Sequence, residues 1–366
     1  MILSELTNYL EKIAPLAYQE SYDNSGLIVG DKNMTVTKIL ISLDCTEEVV
    51  DEAIEMGANV IVSHHPIVFS GLKKFNGKNY VERVVMKAIK NDIALYAIHT
   101  NLDNVSHGVN LKITERLGLE NAKILEPKKS LLSKLVTFVP NEHAANVRDR
   151  LFAAGAGHIG NYSECSFNAE GYGTFKGNDD SNAFVGEKNI THTEPETRIE
   201  VMFPSRLEST ILRTLKEAHP YEEVAYDVIS INNEHQEVGS GMIAEFKEAV
   251  SELEFLNILT KSLNTPVVRH TALKNKMIKK VAVCGGSGSF LLNSAFKNEA
   301  DAFVTADYKY HQFFDAEGKI LICDVGHYES EQFTMELLLE KIQKKFPTFA
   351  VCLTKCNTNA VHYFKG

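Results

Sequence analysis

The sequence predicts an α/β fold with mainly parallel sheets covered by helices, interrupted by a ferredoxin-like α+β insertion domain. Strand and helix patterns alternate in the first third of the chain, the same alternation resumes in the last third, and the middle third has a different pattern. Alternation of this kind is typical of α/β proteins, because βαβ units bring successive strands into one parallel sheet. We expect two halves of an α/β core, 1–126 and 238–366, and an insertion, 127–237.

The segment 1–126 contains alternating apolar strands and amphipathic helices. In order, we predict the strand 38–44, the helix 46–57, the strand 58–63, the helix 80–91 and the strand 93–99. Thr46 is suited to cap the first of these helices, and Gly57 is suited to end it. The result is a parallel sheet with helices on both faces, and such sheets bind ligands at the carboxyl ends of their strands.

The middle segment contains one pattern twice. Its elements are the strand 135–140 with the helix 144–154 and the strand 199–204 with the helix 207–218. Two βαβ halves in tandem predict a ferredoxin-like fold of the kind seen in trimeric signalling proteins. The glycine-rich stretch 170–177 is expected to be a hairpin tip rather than a phosphate-binding loop, since no helix follows it.

In the segment 238–366, each apolar strand leads into glycine or polar residues. The strands and the positions that follow them are 279–284 with the turn 285–289, 302–305 with Asp307, and 320–325 with His327. Because the turn 285–289 lies between a strand and a predicted helix, it is a weak candidate for binding an anion through backbone N–H groups.

Composition limits the classes of function. The 366 residues are 44% hydrophobic and 23% charged, and no apolar run reaches the roughly 18 residues that a membrane helix needs. The start of the chain lacks the basic and apolar regions of a secretory signal, so we expect a soluble, cytoplasmic protein. A formal net charge of -10 argues against nucleic acid or anionic membranes as partners. Six cysteines without a Cys-x-x-Cys pair are typical of reduced thiols.

Five residues of metal-binding types follow predicted strands or begin a predicted helix. His64 and His65 come directly after a strand, and that strand has to end there if both rings are to face one pocket. Asp103 follows a neighbouring strand and is expected at the same rim. His327 and Glu331 are four residues apart at a helix start, so they share one helix face.

Three imidazoles and two carboxylates exceed the needs of one tetrahedral ion. Two ions about 3.5–4 Å apart, bridged by a carboxylate, use such a set together with water. We therefore predict a two-metal site formed by His64, His65, Asp103, His327 and Glu331. The lack of thiolates leaves zinc, iron and manganese open. Glu329 is offset from this helix face and is expected to be solvated. The alternative is a set of capping residues and surface histidines.

Four further polar residues are candidates for a second shell around the metals, namely Asp44, His99, Asp307 and His311. Metal-bound imidazoles usually donate their other N–H to a carboxylate or carbonyl, and Asp44 or Asp307 is placed to accept it. Each of the four is also a candidate general base, so the sequence leaves the catalytic residue open.

These residues lie in segments that resemble the Nif-three-like family, whose members are also called GTP cyclohydrolase I type 2 homologues. The matching segments are 22–30, 63–67, 99–104, 305–311 and 326–331. The segment 219–227 resembles the insertion of the longer bacterial members, which is similar to the trimeric PII and CutA type of fold. Tyr22 stands where a Trp is common, and Ala306 where a Gly is common.

The resemblance implies a di-metal centre on the five residues named above and a homohexamer with the sites facing a central cavity. Since two-metal sites are typical of hydrolases, we expect a metal-dependent hydrolase acting on a nucleotide-like, heterocyclic or phosphoester small molecule. The alternative is a metal-binding regulatory or interaction scaffold without turnover, in which the insertion senses a ligand. An open coordination position favours the enzyme, and a closed ligand shell favours the scaffold.

Overall fold

The computed structural model describes residues 1–364, which separate into two compact units. One unit consists of Met1–Glu126 together with the chain from Glu237 onward, and the other is Pro127–Gln236. The elements of the first segment are α1 (Leu3–Ile13), β1 (Gly26–Val29), β2 (Ile39–Ser42), α2 (Glu47–Glu55), β3 (Val60–Ser63), α3 (Tyr80–Lys90), β4 (Ala94–Ala97), α4 (Thr100–Asp103), α5 (Val109–Arg116) and β5 (Glu120–Pro127).

Two further sets of elements complete the chain. Those of the middle segment are β6 (Leu132–Pro140), α6 (Ala144–Ala153), β7 (Phe167–Phe175), β8 (His192–Pro204), α7 (Glu208–Ala218) and β9 (Tyr226–Ile231). Those of the last segment are β10 (Gly239–Ser251), α8 (Glu252–Ser262), β11 (Arg269–His270), β12 (Met277–Ser287), α9 (Leu292–Lys297), β13 (Ala302–Ala306), β14 (Leu321–Asp324), α10 (His327–Glu331), α11 (Thr334–Lys345) and β15 (Val351–Leu353).

The first sheet has the strand order β1-β4-β3-β2-β15. β15, β2, β3 and β4 are parallel, and β1 joins the edge antiparallel to β4. Every residue of β2, β3 and β4 is buried, which explains their unbroken apolar pattern. The Thr46 side chain accepts the Val49 N–H at the start of α2, as the sequence predicted. The carboxyl ends of the parallel strands therefore meet along one rim.

The second sheet, in the same unit, has the order β11-β14-β13-β12-β10-β5. Its centre, β12-β13-β14, is parallel, while β11 and β10 lie antiparallel to their neighbours β14 and β12. The predicted α/β class is confirmed, and the sheets are mixed because antiparallel strands flank the parallel centres. No helix within residues 1–364 combines the length and apolar composition needed to cross a membrane.

The middle unit contains an antiparallel sheet of order β7-β8-β6-β9. Its β-α-β-β-α-β connectivity is that of ferredoxin-like folds. The helices α6 and α7 bury Val147, Leu151, Ile211 and Leu215 against Leu135, Ile199 and Phe203 of the sheet. One face of the sheet is therefore covered by helices.

The prediction of a hairpin tip at 170–177 is wrong. Residues as far as Phe175 belong to β7, which pairs antiparallel with β8. A side chain at Gly173 would bring its Cβ to 2.1 Å from the Glu196 carboxylate. Gly173 therefore provides space for a buried neighbour on the next strand rather than a turn.

The core unit is expected to fold without residues 127–236. The flanking strands β5 and β10 are neighbours in the core sheet, and Gly239 N–H donates to Asn104 O at 2.9 Å, so the core itself holds the strand that follows the insertion. Within the insertion, His235 N–H donates to Lys128 O at 2.8 Å, so its two ends lie close enough for a short linker to replace it.

Circular dichroism and thermal unfolding of a variant joining Glu126 to Glu237 through a few glycines test this expectation. A cooperative transition and retained helical signal are expected. A chain without cooperative unfolding would mean that the insertion shares a folding core with its host.

Candidate metal centre

His64 and His65 lie where β3 ends and leaves the pleat. β3 stops at Ser63, but the backbone still pairs with the adjacent strand, because His65 N–H donates to Leu43 O at 2.9 Å. The two rings lie with centroids 4.9 Å apart, so they face a common region instead of opposite sides of the sheet. His64 is fully buried, and His65 is partly exposed. The expectation that the strand ends at this point is confirmed.

Three histidine rings each have Nδ1 bound to an oxygen acceptor. His64 Nδ1 lies 2.8 Å from Ile98 O. His65 Nδ1 lies 2.7 Å from Asp44 Oδ1, and His327 Nδ1 lies 2.7 Å from Asp307 Oδ2. With Nδ1 donating in each ring, Nε2 is left for the centre of the site, which is the arrangement found around metal-binding histidines.

The Glu331 carboxylate lies between the Nε2 atoms of these histidines. Oε2 is 2.9 Å from His65 Nε2 and 3.1 Å from His327 Nε2, while Oε1 is 3.9 Å from His64 Nε2. α10 begins at His327 and ends at Glu331, so one helical turn presents both side chains. Burial disfavours a charge on Glu331, but the three histidines outweigh this effect and lower its pKa well below the usual range.

Asp103, at the end of α4, brings a second carboxylate to the same centre. Its Oδ1 is 3.6 Å from His64 Nε2, and among the described residues neither of these buried atoms has a hydrogen-bond partner. Burial and the Glu331 charge raise the pKa of Asp103 well above its usual value. Buried, unpartnered lone pairs are costly in a protein interior, and a bound cation is one way to satisfy them.

The five predicted ligands fall into two groups that share Glu331. His64, Asp103 and Glu331 have ligand atoms within 4.8 Å of one another, and so do His65, His327 and Glu331. Burial disfavours the charged rings of His65 and His327, but Glu331 with Asp44 or Asp307 outweighs it and raises the pKa of His65 to about 10 and that of His327 to about 11. The carboxylates of Glu331, Asp44 and Asp307 thus place negative charge directly beside these two rings.

His99 belongs to the site more closely than the sequence suggested. Its ring lies 5.3 Å from the rings of both His64 and His65, and it forms a third possible ligand group with them. Its Nδ1 is bound to Asp23 Oδ1 at 2.8 Å. The sequence alone indicates no role for Asp23, although it lies in the segment 22–30 that carries the family resemblance. Hydrogen bonds from His99 and Thr100 outweigh burial and lower the pKa of Asp23.

The glycines at the end of β12 position Glu331 and do not form an anion site. Gly285 N–H donates to Asn110 Oδ1, and Gly286 N–H donates to Ser330 Oγ, both at 2.9 Å. Gly288 N–H donates to Thr305 Oγ1. Because these donors already have partners, the predicted anion site at 285–289 is wrong. A Cβ on Gly286 would lie 2.4 Å from Glu331 Oε1. Only glycine, which has no side chain, allows the strand to come this close to the carboxylate.

Two expectations about neighbouring residues are also corrected. Glu329 is not solvated, since it is only 4% exposed and accepts a hydrogen bond from Asn359 Nδ2 at 3.0 Å. His311 is exposed, and its ring contacts those of Tyr310 and Phe314. Asp44, by contrast, is held by a contact that the sequence did not indicate, because Thr358 Oγ1 donates to its Oδ2 at 2.7 Å.

A cavity of about 770 Å³ opens onto the predicted ligands. Asp103, His327 and Glu331 contribute to its wall, and so do the exposed aromatic side chains of Tyr22 and Phe69, whose rings lie 6.2 Å apart. This volume is within the usual range of small-molecule sites. The cavity therefore has room for a small molecule beside the ligand groups.

A family model described as Duf34/NIF3 (NGG1p interacting factor 3) matches residues 1–360 of this chain. The chain belongs to the Duf34/NIF3 family. A GTP cyclohydrolase 1 type 2 homolog of Halalkalibacterium halodurans is 38% identical over 337 residues, or 91% of this chain and 90% of the relative. A relative of the same name from Staphylococcus epidermidis is 35% identical over an alignment of 370 positions, which covers 99% of this chain and 100% of the relative.

Solved structures of Duf34/NIF3 relatives agree with this assignment. A Bacillus cereus protein related to NIF3 is 37% identical and superposes with a TM-score of 0.85, covering 100% of this chain and 99% of the other. The family resemblance inferred from the motifs is therefore confirmed, and the fold of this Duf34/NIF3 chain is shared along its whole length.

Proposed function

We propose that this Duf34/NIF3 protein binds two divalent metal ions through His64, His65, Asp103, His327 and Glu331 and uses them for hydrolysis. The observation that carries the proposal is the position of Glu331, whose two oxygens approach two different ligand groups. A carboxylate in that position is suited to bridge two ions. The nitrogen and oxygen donors are compatible with zinc, iron or manganese.

The charges of the two carboxylates support a cationic occupant. Glu331 is buried and Asp103 is partly buried, and burial together with the Glu331 charge raises the pKa of Asp103. Two carboxylates in one poorly solvated site repel each other, and a bound cation reduces that repulsion. Cys284 also lines the cavity, but burial and the Asp103 charge raise its pKa, which keeps it a neutral thiol and a poor ligand.

When bound, a pair of divalent ions supplies a water of lowered pKa and polarises the bond to be hydrolysed. Among the candidate proton acceptors, Asp44 and Asp307 already accept from His65 and His327. His99 lines the cavity and is oriented by Asp23, so it is the side chain best placed to accept a proton there.

The proposed substrate is a nucleotide-like, heterocyclic or phosphoester compound. Tyr22 and Phe69 offer ring surfaces to a planar group beside the ligand residues. The name GTP cyclohydrolase 1 type 2 homolog, carried by relatives, is compatible with such a substrate. A cytoplasmic location and a homohexamer belong to the same proposal, and the hexamer, which the resemblance implied, is testable by light scattering.

Protein purified without chelator is expected to contain two metal ions per chain. Elemental analysis against protein concentration measures this stoichiometry, and the metal-loaded protein is then screened against nucleotides, phosphoesters and cyclic amides. Chelator-treated protein is the control for activity. One ion per chain, or none after reconstitution with zinc, manganese and iron, would refute the site as drawn.

A metal-binding regulator without turnover is the second candidate. The unit 127–236 has a separate cavity of about 910 Å³, and none of the five proposed ligands belongs to this unit. This cavity favours the regulator, in which the insertion senses a ligand. Turnover of any substrate that depends on metal content would exclude it. Full metal occupancy without turnover across the screen would favour it.

A further inference from the structure

The insertion unit contains a cavity of its own, built mainly by two strands and two connecting segments. β7 and β8 form its floor through Gly171, Gly173 and Glu196, the β7–β8 connection contributes Phe184, and the segment after α7 contributes Tyr221. Its volume is about 910 Å³. This is within the range of cavities that hold small organic ligands. Neither the metal site nor the family motifs around it account for this cavity.

Aromatic rings form one side of the cavity. The Tyr221 ring lies 5.9 Å from that of Phe175 and 6.4 Å from that of Phe184, with interplanar angles of 61° and 49°. Phe184 remains 47% exposed, and Phe175 is half-buried, so neither is a core residue. Tilted rings around an accessible space present several π-faces to one ligand.

A buried carboxylate lies at the base of these rings. Glu196 is 7% exposed, and the Tyr221 hydroxyl donates to its Oε1 at 2.8 Å. Its other oxygen faces Gly173, where a Cβ would lie 2.1 Å away. Burial and the Glu196 charge raise the pKa of Tyr221, so its hydroxyl remains a donor at neutral pH. Gly173 and Tyr221 thus hold one carboxylate in the cavity floor.

The charges around the cavity are mostly negative. Its wall includes the carboxylates of Glu170, Glu196, Glu222 and Glu223 and the cations of Lys176 and Arg198. Arg198 pairs with Glu200 at 2.7 Å, which offsets its charge within β8. The potential in the cavity therefore favours a positively charged ligand.

We propose that this cavity binds a small organic cation of the alkylated ammonium class. The face of an aromatic ring attracts a cation, and alkylated ammonium groups are recognised by several rings with a nearby carboxylate. The tilted rings of Phe175, Phe184 and Tyr221 supply the faces, and Glu196 supplies the opposite charge. The ligand class differs from any substrate of the proposed metal site.

Choline and its neutral carbon isostere, dimethylbutanol, are the test pair, because they have nearly the same shape and differ in charge. Ligand-observed NMR titration of the full-length chain measures both. Choline is expected to bind at least about tenfold more tightly than dimethylbutanol. Equal affinities for the two compounds, or binding of neither up to about 50 mM, would overturn the proposal.

Two variants locate the binding, and one controls for indirect effects. Glu196→Gln and Phe184→Ala are each expected to weaken choline binding by at least about fivefold. Phe184 is exposed, so its replacement leaves the fold intact even if Glu196→Gln is unstable. Glu208→Gln, on an exposed position of α7, is expected to bind choline like the unmodified chain. An unchanged affinity in Phe184→Ala would contradict binding in this cavity.

Discussion

Replacing Glu331 by glutamine is expected to empty at least one of the two proposed metal positions while the chain remains folded. Its carboxylate is 2.9 Å and 3.1 Å from the Nε2 atoms of His65 and His327, so both ligand groups depend on it. A neutral amide offers one oxygen and an N–H₂ donor in place of two anionic oxygens. Elemental analysis and thermal unfolding measure metal content and folding.

The same substitution is expected to lower kcat by at least about 100-fold, with KM little changed, once a substrate is available. This loss reflects charge stabilisation that is needed only in the transition state. Asp103→Asn should also lower kcat. It directly affects only one of the two ligand groups, the one that contains His64. Wild-type kcat in both variants, with metal content confirmed, would exclude a metal-activated water as the nucleophile.

Glu329→Gln is the matched control for Glu331. Both residues lie on α10 and are 4% and 3% exposed, but Glu329 belongs to neither ligand group. The glutamine oxygen retains the ability to accept from Asn359. The control variant is expected to keep both ions. Equal metal loss in the two variants would show that metal binding depends on any buried charge on α10 and not specifically on Glu331 as a ligand.

Replacing Gly286 by alanine is expected to disrupt the metal centre from the other side. An added Cβ would lie 2.4 Å from Glu331 Oε1 and 3.3 Å from His327 Cε1, so the carboxylate has to move. Gly286 also has a φ of 61°, which adds the strain of a left-handed backbone, on the order of 1 kcal/mol. We expect a lower unfolding temperature together with loss of bound metal.

Gly118→Ala separates these two effects. Gly118 has a φ of 70°, but nothing lies within 4 Å of an added Cβ. It therefore reports the backbone strain without the clash. The control is expected to lower the unfolding temperature moderately and to keep its metal. If both variants retained metal equally, the close approach of β12 to Glu331 would not matter for binding.

Local signals in the sequence were enough to predict most of the α/β core. The strands β2, β3 and β4 are buried on both faces, which produces the unbroken apolar runs that predicted them. The start of α2 followed from Thr46, whose side chain forms the expected cap. Such patterns involve residues a few positions apart, so they can be recognised without knowledge of the fold.

The errors concern residues whose environment is set by distant parts of the chain. Glu329 lies on the opposite face of α10 from His327, and the sequence does not reveal that Asn359, near the end of the chain, lies against that face. The stretch 170–177 resembles a turn in composition, but it is a strand, and Glu196 on the neighbouring strand explains Gly173. In both cases a contact outside the local segment explains the difference from the prediction.

The sequence by itself determined the α/β class, the family, and which polar residues stand at strand ends and on α10. Only the tertiary structure decided that Glu331 lies at the centre of the site and that Asp23, Gly286 and Thr358 support it. The physical reason is distance along the chain. His65 and Glu331 are 266 positions apart, and periodicity and capping do not extend over such separations, whereas the packing of two sheets and their helices does.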